Sequence, residues 1–96
     1  MNRETALQAL TLHKPYLVES FGVSGLALFG STARDSASQN SDLDVLVSFA
    51  GPATSDRFFG VQFYLEDALG CPVDLVTEKA LRPELKPYVM RDLVRV

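Results

Sequence analysis

The chain has 96 residues, of which 47% are hydrophobic and 22% are charged, and its formal net charge is −3. This composition predicts one folded domain over residues 1–96, because the length is too small for two ordinary cores and the hydrophobic fraction too high for a disordered chain. The negative charge argues against nucleic acid as the main partner, since a broad phosphate-binding surface needs clustered positive charge. The single cysteine, Cys71, and the lack of any apolar run of roughly 20 residues favour a cytoplasmic protein without a membrane span.

The N-terminal twenty residues have the apolar spacing of a helix. A proline in the middle of one helix would clash with the preceding turn, so Pro15 predicts two pieces. The first is expected to end near His13, and the second to run from Pro15 to Gly22. The apolar residues that carry this pattern are Leu7, Leu10, Leu17 and Phe21.

Three short apolar runs predict strands. Residues 26–29 are continuously apolar, which is typical of a strand buried on both faces, and the small polar residues 31–41 after them indicate a loop or the start of a short helix. The second and third strands are expected at residues 43–49 and 72–77.

Two further helices complete the predicted order. Thr54 or Ser55 can cap a helix that ends at Gly70, and Pro83 opens a final helix that contains Leu85, Val89, Met90 and Leu93. Strands interleaved with helices predict an α/β (α+β) domain with a small mixed sheet, packed by helices mainly on one side.

Two aspartates separated by one residue are the most informative chemical feature. On a strand, Asp42 and Asp44 would point to the same face while Leu43 packs on the other. Asp74 is the only acid in the third apolar run, where an ionised carboxylate is costly unless it is paired or binds metal. Placed together, the three acids would supply oxygen ligands for one or two Mg²⁺ ions, which suits phosphoryl chemistry on a nucleoside triphosphate.

The segment that precedes these acids is suited to phosphate. Gly30 permits close approach of the backbone, and the Ser31 hydroxyl and following amides could bind phosphate oxygens at a helix start. Arg34 could neutralise the triphosphate, or it could pair with a local acid such as Asp35. The Gly-Lys-Ser/Thr element of a Walker P-loop is absent from the sequence, which excludes ATP hydrolysis by that route.

The strings Leu28-Phe29-Gly30-Ser31-Thr32-Ala33-Arg34 and Ser41-Asp42-Leu43-Asp44-Val45-Leu46-Val47 resemble the nucleotidyltransferase superfamily that includes DNA polymerase beta and aminoglycoside nucleotidyltransferases. Within it, they look like the minimal, stand-alone prokaryotic branch. The resemblance implies a nucleotidyltransferase fold. It also implies metal binding by Asp42, Asp44 and Asp74, with ATP phosphates held by Gly30, Ser31 and, less firmly, Arg34. The branch often has glycine after this arginine, where Asp35 stands here.

The same resemblance implies a partner. A chain of this length has the catalytic half of larger superfamily members without their acceptor-binding domain, so another molecule is expected to supply the acceptor. In the minimal branch that partner is a HEPN-domain protein, often an RNase toxin, which the nucleotidyltransferase AMPylates on a tyrosine as its antitoxin. Two alternatives stay open: a non-catalytic module that neutralises the toxin by forming a complex, and a nucleotidyltransferase for small molecules or nucleic acid. The sequence leaves the oligomeric state open.

Other residues have ordinary structural explanations. His13 is expected at the surface or as a helix cap, because no metal ligand or nucleophile stands near it in sequence. Cys71 is expected to be a small buried residue. The aromatic residues of the third predicted helix are typical of a core, although they exceed what one helix face can bury, so some of them could meet a partner: Phe58, Phe59, Phe63 and Tyr64.

Overall fold

The computed structural model describes residues 1–36 and 42–96. The elements in chain order are α1 (Arg3–Phe21), β1 (Val23–Phe29), α2 (Gly30–Ala33), β2 (Leu43–Phe49), α3 (Ser55–Leu69), β3 (Val73–Thr77), α4 (Lys86–Asp92) and β4 (Val94–Arg95). Of the polar segment predicted at 31–41, residues 37–41 lie outside the described residues.

The strands form one mixed sheet in the order β3-β2-β1-β4. β1 pairs antiparallel with β2 and with β4, whereas β2 and β3 run parallel. The parallel pair is joined through α3, as a crossover connection requires. This arrangement confirms the predicted small mixed sheet of an α/β fold.

The hydrophobic core lies between one face of the sheet and the helices α1 and α3. Alternation along the strands divides the buried side chains between the two faces. Ala27 and Leu46 are buried on the opposite face, where they are register partners and lie outside this core cluster. The strand residues in the core cluster are Val23, Leu26, Leu28, Leu43, Val45, Val47, Val73 and Leu75.

α1 is one helix of 19 residues that continues through Pro15, so the predicted break after His13 is wrong. A proline removes one backbone hydrogen bond, but packing on both sides of it outweighs that loss. Leu10 and Leu17 are both fully buried, so both halves of the helix are fixed against the same core. The predicted end at Gly22 is confirmed, since Gly22 is the left-handed C-cap and its N–H bonds back to the helix.

The boundaries of the middle elements agree with the sequence. The Thr54 side chain accepts a hydrogen bond from the Arg57 amide and caps α3, which ends at the left-handed Gly70. The second strand spans the residues that its apolar pattern predicts, and β1 begins three residues before the predicted run. These limits depend on residues adjacent in sequence, which is why local pattern locates them.

The C-terminal elements differ from the prediction. α4 begins at Lys86, three residues after Pro83, and it ends before Leu93. β4 was not predicted, because two residues carry no periodic signal and its pairing with β1 is a long-range contact. Among the residues described, none of the helices has the length and apolar character needed to cross a membrane.

Candidate active site

Two of the three predicted acids lie side by side on the sheet. Asp44 of β2 and Asp74 of β3 are direct register partners in the parallel pair. Partners in adjacent strands project to the same face, which is the face opposite the α1/α3 core. Asp74 is exposed and Asp44 is half-buried, so the pair lies at the surface of the sheet with Asp44 on its inner side.

The electrostatics of Asp44 reflect this crowding. The pKa of Asp44 is raised to about 6, first by burial and then by the charge of Asp74, a hydrogen bond with Asp74 and the charge of Asp42. The positive charge of Arg34 acts in the opposite direction on the same pKa. Ionising a half-buried carboxyl group beside other acids is costly when no cation is bound. The same group is a good ligand for a cation.

Gly30 stands against the Asp44 carboxylate. Its φ of 74° lies in the left-handed region, and a Cβ at this position would sit 2.9 Å from Cγ of Asp44 and closer still to Oδ2. Both the backbone conformation and the close approach therefore require glycine. β1 and β2 bring the two residues together, because Phe29, the residue before Gly30, is the register partner of Asp44.

Ser31 follows Gly30 in the short helix α2. α2 is anchored by Thr32 and Ala33, both of which are buried. The backbone oxygen of Ser31 accepts a hydrogen bond from the amide of Ser36 at 2.9 Å, which closes the turn after the helix. The Ser31 side chain is half-buried on this fixed turn. Its role in phosphate binding stays a prediction.

Arg34 pairs with an acid that is distant in sequence. Its Nη1 donates to Oδ2 of Asp92 at 2.6 Å, so the local partner considered from the sequence, Asp35, is not the one the structure shows. Asp35 instead accepts a bond from the amide of Arg3 at 3.3 Å. The φ of Asp35 is 60°, in the left-handed region that favours glycine.

Asp42 is exposed and directly precedes β2. Its charge is one of the causes that raise the pKa of Asp44. Within residues 1–36 and 42–96, however, no three His, Cys, Asp or Glu side chains are grouped so that they could hold a metal ion. The assignment of Asp42, Asp44 and Asp74 together as metal ligands therefore stays a prediction.

A cavity of about 200 Å³ opens beside Gly30, between α2 and α4. Local pattern does not predict α4 at this site, because Asp92 lies 58 residues from Arg34 and has no motif of its own. The residues that line it are Phe29, Gly30, Arg34, Tyr88, Val89, Arg91 and Asp92.

His13 lies away from this site. Its Nδ1 is 2.8 Å from the hydroxyl of Tyr64, and it is half-buried between α1 and α3, so the expectation of a surface or capping histidine is wrong. Tyr64 also stacks on Tyr16 at 4.6 Å, which makes it part of the helix packing. Phe59 and Phe63 stack on each other and remain largely exposed.

Comparisons with known proteins agree with this geometry. A family model described as nucleotidyltransferase domain matches residues 10–96. Protein adenylyltransferase MntA of Thermococcus cleftensis is 40% identical over 87 residues, 91% of this chain and 88% of that protein. A solved structure of a candidate minimal nucleotidyltransferase is similar at TM-score 0.83 and 35% identity, covering 100% of this chain and 97% of the other.

A chain in the structure of a tri-AMPylated Shewanella oneidensis HEPN toxin in complex with MNT antitoxin is similar at TM-score 0.60 and 21% identity. The match covers 98% of this chain and 67% of that one, and at this identity it shows the fold alone. The family model spans most of the sequence, and the relative from Thermococcus is similar over nearly its whole length. The chain therefore belongs to the nucleotidyltransferase domain family.

Proposed function

We propose that this nucleotidyltransferase transfers AMP from ATP to a hydroxyl of a partner protein, a tyrosine of a HEPN-domain toxin, and acts as its antitoxin. One observation carries the chemical part of the proposal: Asp44 and Asp74 are neighbours on one face of the sheet, with Gly30 held against Asp44. This arrangement puts clustered negative charge beside the glycine at the start of α2.

The partner and the transferred AMP group are supported by the related proteins. The Thermococcus relative is named a protein adenylyltransferase. The fold neighbour comes from the structure of a tri-AMPylated HEPN toxin in complex with MNT antitoxin. A tyrosine phenol is mostly protonated at neutral pH and is then a poor nucleophile. As the acceptor it therefore needs a nearby group that draws off its proton as it attacks.

The acids fit magnesium by their chemistry. Hard carboxylate oxygens are the ligands that Mg²⁺ prefers. The pKa of Asp44 is raised to about 6 by burial and then by the neighbouring carboxylates, and a bound cation would favour its ionised form. Asp42 and Asp44 would hold the ion, with Asp74 as a further ligand. When bound, Mg²⁺ supplies positive charge that polarises phosphate oxygens and steadies the leaving pyrophosphate.

The protein residues then have distinct tasks. The Gly30-Ser31 turn holds the triphosphate against β2, and Arg34 balances its charge. Asp74, exposed on β3, accepts the phenolic proton as the tyrosine oxygen forms its bond to the α-phosphorus. The bond between the α-phosphorus and the bridging oxygen breaks, and pyrophosphate departs with that oxygen.

Asp74→Asn tests this division of tasks. Because the amide cannot accept the proton, AMP transfer to the partner should fall by about a hundredfold or more. Nucleotide affinity should change by less than about threefold, since Asp42 and Asp44 remain. The purified protein is incubated with ATP, magnesium and the HEPN-domain partner, transfer is followed by mass spectrometry, and ATP binding is measured by calorimetry.

Asp67→Asn is the matched control, because Asp67 is an exposed acid on α3, a helix that packs on the face of the sheet opposite the acid pair. It should transfer AMP at the wild-type rate. If wild type adds no AMP and still silences the partner in a stable complex, the protein is a binding antitoxin and the catalytic proposal is wrong.

A further inference from the structure

The last residue of α4 links this helix to the nucleotide site. Asp92 bonds Arg34 at 2.6 Å through Oδ2, and its Oδ1 lies 4.0 Å from Nε of Arg91. Arg91 is also held over the ring of Tyr88, 5.8 Å from its centroid. One carboxylate thus lies between two guanidinium groups, and the cluster keeps a net positive charge.

The two members of the main pair differ in exposure. The Asp92 side chain is 13% exposed, whereas that of Arg34 is 49% exposed. The buried carboxylate therefore fixes one nitrogen of a guanidinium that has five N–H donors. Arg34 and Asp92 both line the cavity whose wall includes Gly30.

We propose that Asp92 is a positioning residue, which holds the Arg34 guanidinium in place for the pyrophosphate portion of the bound nucleotide. The inference rests on the proposed function and assigns α4 a part in that site. A free arginine side chain loses rotamer freedom when it orders on a ligand, and an arginine already ordered by Asp92 loses less. The net positive charge of the Arg34, Asp92 and Arg91 cluster suits an anionic ligand at this cavity.

The test measures dissociation constants of the full chain for Mg-ATP, Mg-tripolyphosphate and AMP. Asp92→Asn should weaken Mg-ATP and Mg-tripolyphosphate binding about three- to tenfold, as expected for a lost ordering contact. AMP affinity should stay within about twofold, because AMP lacks the pyrophosphate. A variant that only distorted the fold would weaken all three ligands together.

A double variant separates positioning from a direct effect. Since Asp92 acts through Arg34, Asp92→Asn added to Arg34→Gln should weaken Mg-ATP binding no further than Arg34→Gln alone. Glu78→Gln is the control, because it removes another ion pair between residues distant in sequence, Glu78 with Arg95 at 4.0 Å, and should leave all three affinities unchanged.

Three results would overturn the inference: unchanged or tighter Mg-ATP binding in Asp92→Asn, equal losses for AMP and tripolyphosphate, or additive losses in the double variant. Failure of wild type to bind Mg-ATP would be a different outcome, since it would remove the proposed nucleotide site itself and this inference with it.

Discussion

Asp44→Asn should abolish nucleotidyl transfer and, in the absence of metal, raise the stability of the fold. Transfer should fall by about a thousandfold, because the half-buried member of the acid pair loses its charge at the position where the cation and triphosphate are proposed to bind. The gain in stability has a separate cause. In EDTA the ionised Asp44 is unfavourable in the folded chain, and asparagine removes that charge.

The pH dependence follows from the sign of the shift. The pKa of Asp44 rises from 3.8 to about 6 on folding, so the folded state binds the proton more tightly than the unfolded state. Wild-type stability in EDTA should therefore fall as pH rises from about 4 to about 6, and the variant should lack this fall. At pH 7.5 the variant should melt higher, on the order of 4 °C, the shift that about 1 kcal/mol gives in a small domain.

Melting curves in EDTA across this pH range check the stability result, and the control is again Asp67→Asn, an exposed acid of α3. Its melting temperature should follow the wild-type pH profile. Adding Mg-ATP should stabilise wild type and not Asp44→Asn, which reverses their order. Equal stabilisation of both proteins would remove Asp44 from the proposed metal site.

Gly30→Ala should disrupt the site more than the loss of one glycine would elsewhere. The backbone at φ 74° makes alanine unfavourable by about 1–2 kcal/mol, and the new Cβ would overlap the Asp44 carboxylate. Asp44 would have to move from its position beside Asp74. We expect AMP transfer to fall by about a hundredfold or more, with weaker binding of Mg-ATP.

Gly70→Ala provides a matched control within the same chain. Gly70 has nearly the same backbone conformation, φ 68°, and a Cβ there would meet nothing within 4 Å. It should lose stability by a similar backbone amount, about 1–2 kcal/mol, while transfer and nucleotide binding stay at wild-type values. Gly30→Ala with wild-type transfer would show that the contact with Asp44 has no part in the activity.

Local sequence was sufficient for much of the fold. The limits of β2 and α3 follow from apolar pattern and caps such as Thr54 and Gly70, which depend on neighbours in sequence. The helix break predicted from Pro15 is wrong, because burial of Leu10 and Leu17 outweighs the local preference against proline. Only the folded core supplies that burial. β4 was missed for a related reason, since its two residues are a strand only by pairing with β1.

In the candidate site, too, local sequence predicts some features while others depend on long-range contacts. Spacing along one strand was enough to expect Asp42 and Asp44 on one face, and Gly30 was identified from its motif. The contact between Asp44 and Asp74 depends on the register of a parallel pair, which sequence does not display. Asp92 had no signal at all, because its relation to Arg34 arises from how α4 packs against α2.

The most direct test of nucleotidyl transfer uses ATP labelled either at the α-phosphate or at the γ-phosphate. The protein is incubated with each ATP, magnesium and the HEPN-domain partner, and with Asp44→Asn in parallel. With wild type, nucleotidyl transfer should move the α label onto the partner and release the γ label as pyrophosphate. With Asp44→Asn, neither the labelled partner nor labelled pyrophosphate should form. Transfer of the γ label to the partner, or no transfer of the α label by wild type, would contradict the account.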